Sequence, residues 1–351
     1  MHNPTPSTAD DHGSRPFWRE SMAPYERPSV ARAVLDLATS VVPYILLSVA
    51  AYFALDTSVW ITLGLSAAAS GFLLRTFIVF HDCAHGSFLP SRNANIWVGR
   101  LCAFLTFQAF ADWRHKHAVH HGSAGDLDRR GTGDVETLTV DEYMARSWRG
   151  RLGYRLFRNP IVMFGLGPIW SLMIGPRIWS RNQRPRQRNS VLLTNLALAA
   201  VLVPIWWFVG FGAWAAVQMP AAILAGTAGV FLFYVQHQFE DAYWETGERW
   251  SYADAALRGS SNLYLPQPLQ FFTGNIGLHH VHHLSARIPN YNLQRAHDEN
   301  EIFHDVPVLT VWDGLKATRL KLIDPASGRL LTWNELRVRR AESPEPSRAA
   351  F

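Results

Sequence analysis

"VWITLGLSAAASGFLLRTFIVFHDCAHGSF", Val59 to Phe88, is the stretch on which the fold turns. Its first part, Val59 to Phe80, is apolar and long enough to cross a bilayer core, which takes roughly 20 residues of helix. It runs straight into "HDCAH", where His81 and His85 stand four apart and so share a helix face. An apolar span that delivers two imidazoles at its end implies chemistry at the membrane surface. Three other stretches meet the same length requirement. Val34 to Leu55 precedes it across a short turn at Asp56-Thr57-Ser58, and Val191 to Phe211 is joined almost directly to Ala213 to Val235. The chain is therefore predicted to be an all-α integral membrane protein with four transmembrane helices in two hairpins. Ile96 to Phe110 and Ile161 to Ile178 are shorter and interrupted by Gly or Arg, which suits interfacial or re-entrant helices better.

Composition agrees with a membrane setting. Of 351 residues, 48% are hydrophobic and only 17% charged, with 14 Trp and 20 Phe. The formal charge of +5 comes mostly from Arg, and no nucleic-acid signature accompanies it. Arg15, Arg19, Arg27 and Arg32 precede the first span, and Arg177, Arg181, Arg184, Arg186 and Arg188 precede the third. The two hairpin turns lack Lys and Arg and carry Trp60, Trp206, Trp207 and Trp214 nearby. Such asymmetry places both termini and the middle segment on the cytoplasmic side, as expected for a bacterial inner membrane protein. Each Trp taken alone is as well explained by core packing. Cys83 and Cys102 show no metal-type pairing and require no disulfide. The polar, Pro-rich residues 1–28 read as a flexible arm and residues 341–351 as a tail, with one domain, 29–340, between them.

The first histidine pair does not stand alone. "HAVHH" places His117, His120 and His121 at i, i+3 and i+4, and "GNIGLHHVHHL" repeats that spacing with His279, His282 and His283 after the fourth span. All three boxes fall on the cytoplasmic side of the predicted topology, in a helical cap beneath the spans. A single buried histidine is usually a satisfied core residue, and one HxxxH is weak evidence for a metal. Eight imidazoles in three helix-face patterns exceed what one tetrahedral ion uses, so the count points to two metals. Imidazole suits Zn, Cu, Fe and Ni alike, so spacing does not name the element. His115 should point about 200° away from His117 around its helix, and His280 is left out of the ligand set.

The three boxes, their order and their placement after hairpins resemble the membrane-bound fatty acid desaturases. "FHDCAHGSF", "WRHKHAVHHGSAGDLDRRGTGDV", "YVQHQFEDAYW" and "GNIGLHHVHHLSARIPNYNL" look most like the bacterial and cyanobacterial acyl-lipid delta-12 (omega-6) group. The resemblance spans roughly residues 30–325. It implies a non-haem di-iron centre, O2 as co-substrate and a lipid-linked acyl chain, oleoyl converted to linoleoyl, in the membrane. It also adds a ninth ligand, His237 in "VQHQFE", at the end of the fourth span. The asparagine that in some relatives stands four residues earlier is here Phe233, so Asn275, four before His279, is the candidate to hold a metal-bound water. Ligand imidazoles need partners for their second nitrogen. Asp82, Asp126, Asp128, Asp134, Glu240 and Asp241 are candidates for that task.

No side chain beyond the metal ligands is needed as a catalytic acid, base or nucleophile. No flavin or nicotinamide fingerprint is present, and no HPGG motif marks a fused haem domain, so electrons are expected from a separate ferredoxin-like or cytochrome b5-like protein. The soluble di-iron bundle uses paired Glu-x-x-His motifs, and only Glu301 to His304 matches. A hydroxylase, ketolase or acetylenase of the same superfamily shares the boxes and is the nearest rival. A membrane metal transporter or sensor is the non-enzymatic alternative, but it would place ligands within the spans rather than at their ends.

Overall fold

The computed structural model describes residues 16–342, which are mostly helical. Residues 1–15 of the expected arm and 343–351 of the expected tail lie outside the described residues. Helix α1, Val30–Phe53, starts at Ser29, whose hydroxyl accepts from the Arg32 amide. Helix α2, Val59–His85, packs against it along its length. It does not stop at Phe80 but continues through the first histidine box to Gly86, which takes φ 79°, a conformation that ends a helix cheaply only for glycine. His81 and His85 thus occupy the last turns of a packed helix. Helices α3, Arg92–Leu105, and α4, Phe110–Ser123, follow, then α5, Trp148–Phe157, and two π-helical segments, Val162–Leu166 and Ile169–Ile174.

The second half differs from expectation in its joint. Among the described residues, three helical runs are long and apolar enough to cross a membrane, and the third is continuous from Pro185 to His237. It consists of α6, Pro185–Ile205, a π-turn Trp206–Gly210, and α7, Phe211–His237. This run folds back on itself. Gln187, near its start, donates to Asp112 of α4 at 3.3 Å, and His237, at its end, lies 3.2 Å from His120 of the same helix. Those two residues of α4 are only ~12 Å apart along the axis, whereas a straight helix from Gln187 to His237 would measure ~75 Å. The reversal is made by the π-turn and Gly210, with φ 91° and ψ 135°, rather than by a loop. Only 6% of the apolar window of this run is buried within the protein, against 44% for α2.

Two expectations need correction. The described residues are not all-α: β1, Asn262–Leu263, pairs in parallel with β2, Val308–Leu309, and β3, Leu320–Asp324, forms an antiparallel hairpin with β4, Arg329–Thr332. The signal was present in the branched and leucine-rich "LKLID" and "RLLT" around a turn closed by Gly328 at φ 67°. The arm, too, is shorter than 28 residues. Met22 and Tyr25 are buried, and the Tyr25 hydroxyl donates to Glu299 at 2.7 Å, because this segment carries apolar side chains that reach the main core.

The β3–β4 hairpin is fastened to the helices by a buried cation. The side chain of Arg158, fully buried, donates to the Glu136 and Leu320 carbonyls, Thr137 Oγ1, Tyr234 OH and Gln238 Oε1, at 2.7–3.1 Å. No carboxylate is among these partners, so neutral dipoles alone solvate the charge. Replacing Arg158 with Met should strip five acceptors of their donor and destabilise the fold by about 3–5 kcal/mol. A large fall in the apparent melting temperature, with early proteolysis near residues 318–332, is the expected readout; an unchanged melting profile would show that water or rearranged side chains replace the guanidinium.

Candidate metal centre

The histidines come from four places. His81 and His85 end α2, His117, His120 and His121 line α4, His237 is the last residue of α7, and His279, His282 and His283 lie on α8, His279–Leu284. Helix α8 is entered through Gly274 and Asn275, both at positive φ. A glycine takes that conformation freely and an asparagine better than most residues. The structure sorts the nine rings into two groups. His81, His85, His117, His121 and His282 form one, and His120, His237, His279 and His283 the other, with candidate ligand atoms within 4.8 Å of one another in each. Two nitrogens bound about 2.1 Å from one ion lie at most about 4.2 Å apart, so atoms spread over 4.8 Å need draw in by only about 0.6 Å to share an ion in either group. The groups adjoin: the His121 and His283 rings stack with centroids 4.1 Å apart.

Helix geometry explains the sorting. At about 100° per residue, positions i and i+4 differ by only about 40°, while i+3 falls about 60° to the other side of i. In α4, His117 and His121 serve the first group and His120 the second. In α8, His279 and His283 serve the second group and His282 the first. Each HxxHH box is thus shared between two centres.

Hydrogen bonding shows what these rings want. His120 Nδ1 contacts Asp134 Oδ1, and His237 Nδ1 lies 3.0 Å from the Gly259 carbonyl. An acceptor at each Nδ1 assigns the proton there, so each Nε2 presents a lone pair. Those two Nε2 atoms face each other at 3.2 Å, and His279 Nε2 lies 3.0 Å from that of His237. Lone pairs aimed at one another are repulsive unless a cation sits between them. In the first group, His121 Nε2 lies 3.2 Å from His117 Nε2 and 3.0 Å from His282 Nε2, and His85 Nε2 is buried with no partner. Burial first, and neighbouring imidazoles second, hold His117, His121, His279, His282 and His283 well below the usual histidine range. Neutral rings with free lone pairs are the form that ligates a metal. The donor set fits two imidazole-bound transition-metal ions.

The partners expected for the second nitrogens divide sharply. Asp82 accepts at 3.1 Å from His81 Nδ1, and Asp134 pairs with His120. Asp126 instead binds Arg129 and its own turn, Asp128 binds the Gly247 amide, and Glu240 and Asp241 pair with Arg329. Asp241 is 80% exposed and touches no histidine, because the chain turns outward just after α7. The Asn275 amide donates to the Asn290 carbonyl at 3.1 Å, a structural role at the turn into α8. His280 faces away from both groups and bonds His297 at 3.0 Å, and His115 belongs to neither. Phe233 packs its ring against His120.

A buried polar relay behind the first box was missed by sequence reading. Asp82 Oδ2 accepts the Asn290 amide at 2.6 Å, the Asn290 side chain donates to Asp36 at 2.8 Å, and Asp36 pairs with Arg75. Asp36 and Arg75 lie within α1 and α2. Single charges of opposite sign inside two neighbouring apolar spans were the available signal.

The family model for fatty acid desaturase matches residues 57–309. The chain belongs to the fatty acid desaturase family. A fatty acid desaturase of Bacillus subtilis is 41% identical over 318 residues, covering 91% of this chain and 90% of the relative. An sn-1 oleoyl-lipid 12-desaturase of Synechocystis is 30% identical over 64% of each chain. An sn-1 acyl-lipid omega-3 desaturase (ferredoxin) of the same organism is 29% identical over 63% of this chain and 62% of its own. This desaturase is accordingly an oxidoreductase of lipid metabolism. In it, Asp134→Asn should lower metal retention by the second group about 10–100-fold, the usual scale for losing an imidazole's partner. Asp241→Asn should leave it unchanged. Metal per chain after dialysis against a chelator measures both, and equal loss in the two variants would remove Asp134 from the centre.

Proposed function

We propose that this desaturase uses O2 to place a cis double bond in a membrane lipid-linked acyl chain, converting oleoyl to linoleoyl at a non-haem di-iron centre held by the nine histidines. In this reading the folded-back third run makes two crossings, for four in all. The histidine cap and both termini face the cytoplasm of a bacterial inner membrane, and a separate ferredoxin-like or cytochrome b5-like protein supplies electrons. The observation that carries the reading is a cavity of about 1030 Å³ whose wall includes His81, His117 and His279. It is at the upper limit of about 300–1,000 Å³ typical for small-molecule sites. Its remaining wall is mainly apolar, running between α2 and α7 past Leu73, Ile78, Ala222 and Ala225. An acyl chain fits that chemistry, and rings from both histidine groups border it.

Two irons bound there would supply the one-electron oxidising power that an unactivated methylene requires. Overall, two hydrogens leave adjacent carbons, and with two electrons and two protons from the donor side they end, with O2, as two waters. The protein's own residues do the positioning. Trp113 stacks on His117 at 4.3 Å and closes the wall beside the first group, while Phe233 covers His120 beside the second. These rings keep water from the reacting carbons. Asp82 and Asp134 hold their imidazoles in orientation.

Expression in a host rich in oleoyl lipids, with a ferredoxin-type donor, should yield linoleoyl chains. Gas chromatography with mass spectrometry of the lipids locates the new bond. A monoene made from stearoyl chains would reassign the position, and a hydroxylated chain would refute desaturation. The cavity supplies a second expectation. Gly229 lines it, and a Cβ built there would meet only Leu74 Cδ1, at 3.7 Å. Gly229→Leu should therefore fold normally yet intrude on the chain's path. Turnover of 18-carbon substrates should fall by about tenfold or more relative to 14-carbon ones. An unchanged chain-length profile would move the acyl path away from α7.

A further inference from the structure

Most polar side chains in the wall of the large cavity are committed to the protein itself. Thr106 donates to the Cys102 carbonyl at 2.8 Å, Gln108 to the Ser171 carbonyl at 3.2 Å and Gln236 to the Ile276 carbonyl at 2.7 Å. Asp134 serves His120. The exception is a cluster of Asp112, Lys116, Ser180 and Gln183, all four of which line the cavity. Asp112, buried, ties it together by accepting from Lys116 Nζ at 2.7 Å and Gln183 Nε2 at 2.8 Å. Gln187 also donates to this carboxylate at 3.3 Å, and Gln183 Oε1 accepts the Ser180 amide at 2.9 Å. Acceptors in the cluster are therefore well used, and donors are left over. An ammonium carries three N–H groups and a carboxamide two. Among the described residues, Lys116 and Gln183 each direct one side-chain donor to Asp112, and the Ser180 hydroxyl accepts from the Asn182 amide while keeping its own proton.

Spare donors around a filled carboxylate fit a ligand group that accepts and does not donate. Charge narrows the choice. Lys116 is the only lysine or arginine in the described wall, and Asp112 already neutralises it, so the cluster is not built to collect a full negative charge. A carbonyl oxygen is neutral and accepts only, and an acyl chain carries one where it is joined to its carrier. The position of the cluster says which carrier. The Lys116 side chain is 45% exposed, so the donors stand where the cavity opens. Trp170, Ile178 and Trp179 line the same cavity and are exposed apolar side chains. Indole rings favour the boundary between hydrocarbon and head groups, which is the level of a glycerolipid's ester bonds. A carrier soluble in water would need no apolar rim.

We propose that Lys116, held by Asp112 and flanked by Gln183 and Ser180, binds the ester carbonyl of a glycerolipid whose acyl chain fills the cavity. This rests on the reading of the cavity as the acyl site. It names the recognised part of the substrate as the ester linkage and leaves the head group outside. A hydrogen bond from a charged donor is stronger than one between neutral groups, so Lys116 dominates the contact. Holding the carbonyl at the mouth fixes how far the chain reaches past His117 and His81, the metal-group rings that border the cavity.

The test is lipid retention by the full-length protein, measured by native mass spectrometry from mixed micelles. The probes are dioleoylphosphatidylcholine, its dioleyl ether counterpart, which has the same head group and chains but no carbonyls, dioleoylglycerol and oleoyl-coenzyme A. The wild type should retain the ester lipid about tenfold better than the ether, the scale of one charge-assisted contact, and should hold dioleoylglycerol as well as the phosphatidylcholine. Lys116→Met should abolish the preference for ester over ether, and Lys116→Arg, which still donates, should keep most of it. Lys316→Met, which removes an equal charge from an exposed site on the helix Val311–Ala317, should change nothing. Each ratio is taken within one variant, so loss of folded protein cannot imitate the result. Equal retention of ester and ether by the wild type would overturn the proposal, as would an undiminished preference in Lys116→Met. Displacement of the ester lipid by equimolar oleoyl-coenzyme A would also overturn it, by making the carbonyl that of a thioester. Because binding is read without turnover, ester selectivity without diene formation would sink the catalytic reading alone. Diene formation without ester selectivity would sink this one alone.

Discussion

His120 Nε2 and His237 Nε2 face each other across 3.2 Å, each with its proton committed to the opposite side of the ring. That arrangement is unstable as plain protein packing and favourable around a cation, and the rest of the architecture is arranged to hold it. It requires the end of α7 to arrive beside the last turn of α4, which in turn requires the Pro185–His237 run to reverse at Gly210. It also requires the Gly259 carbonyl to approach His237, which the Tyr243 amide bonding the Arg258 carbonyl helps fix. A metal centre built this way spends stability in the absence of ions. Metal binding and cap folding should therefore be strongly linked.

The first group depends on a different support. His81 and His85 come from α2, a helix long and apolar enough to cross a membrane, and the orientation of His81 is set by Asp82, then Asn290, then the Asp36–Arg75 pair. An ion pair between two apolar helices adds little net stability once desolvation is counted. Its value here is geometric. It locks α1 to α2 and ties both to the helix that follows α8, so that boxes from opposite ends of the chain meet in register.

Much of this was legible in the sequence, for identifiable reasons. Apolar length shows spans, because a bilayer imposes a length, and i, i+3, i+4 spacing shows ligand faces, because a helix imposes a period. His237 came from family resemblance alone, since a lone histidine ending a span has no periodic partner. What stayed hidden depended on non-local contact. Asp241 and Asp134 are both acidic residues near a box, and only the fold shows that one meets Arg329 and the other His120. A near-direct joint between the third and fourth spans was anticipated, but not its form, because an internal π-turn has no sequence signature. Arg158 has no sequence signal that separates it from the many other arginines, and only the closed hairpin shows it buried.

Helix period also accounts for the number of centres more directly than counting histidines does. An HxxxH pair spans about 40° of helix and can serve one ion only. An HxxHH triple spans about 100°, too wide for one ion and sufficient for two. Two such triples facing each other, with each giving a pair to one centre and a single ring to the other, enforce a shared wall between two ions. The HxxxH box then adds its pair to the first centre and His237 its single ring to the second, giving groups of five and four. The unequal division leaves the second group with fewer protein ligands, and that is the side where Phe233 and a small enclosed space beside Trp244 lie. The division into five and four follows from the spacing of three boxes together with His237, and rings of both groups, His81 and His117 of the first and His279 of the second, border the large apolar cavity.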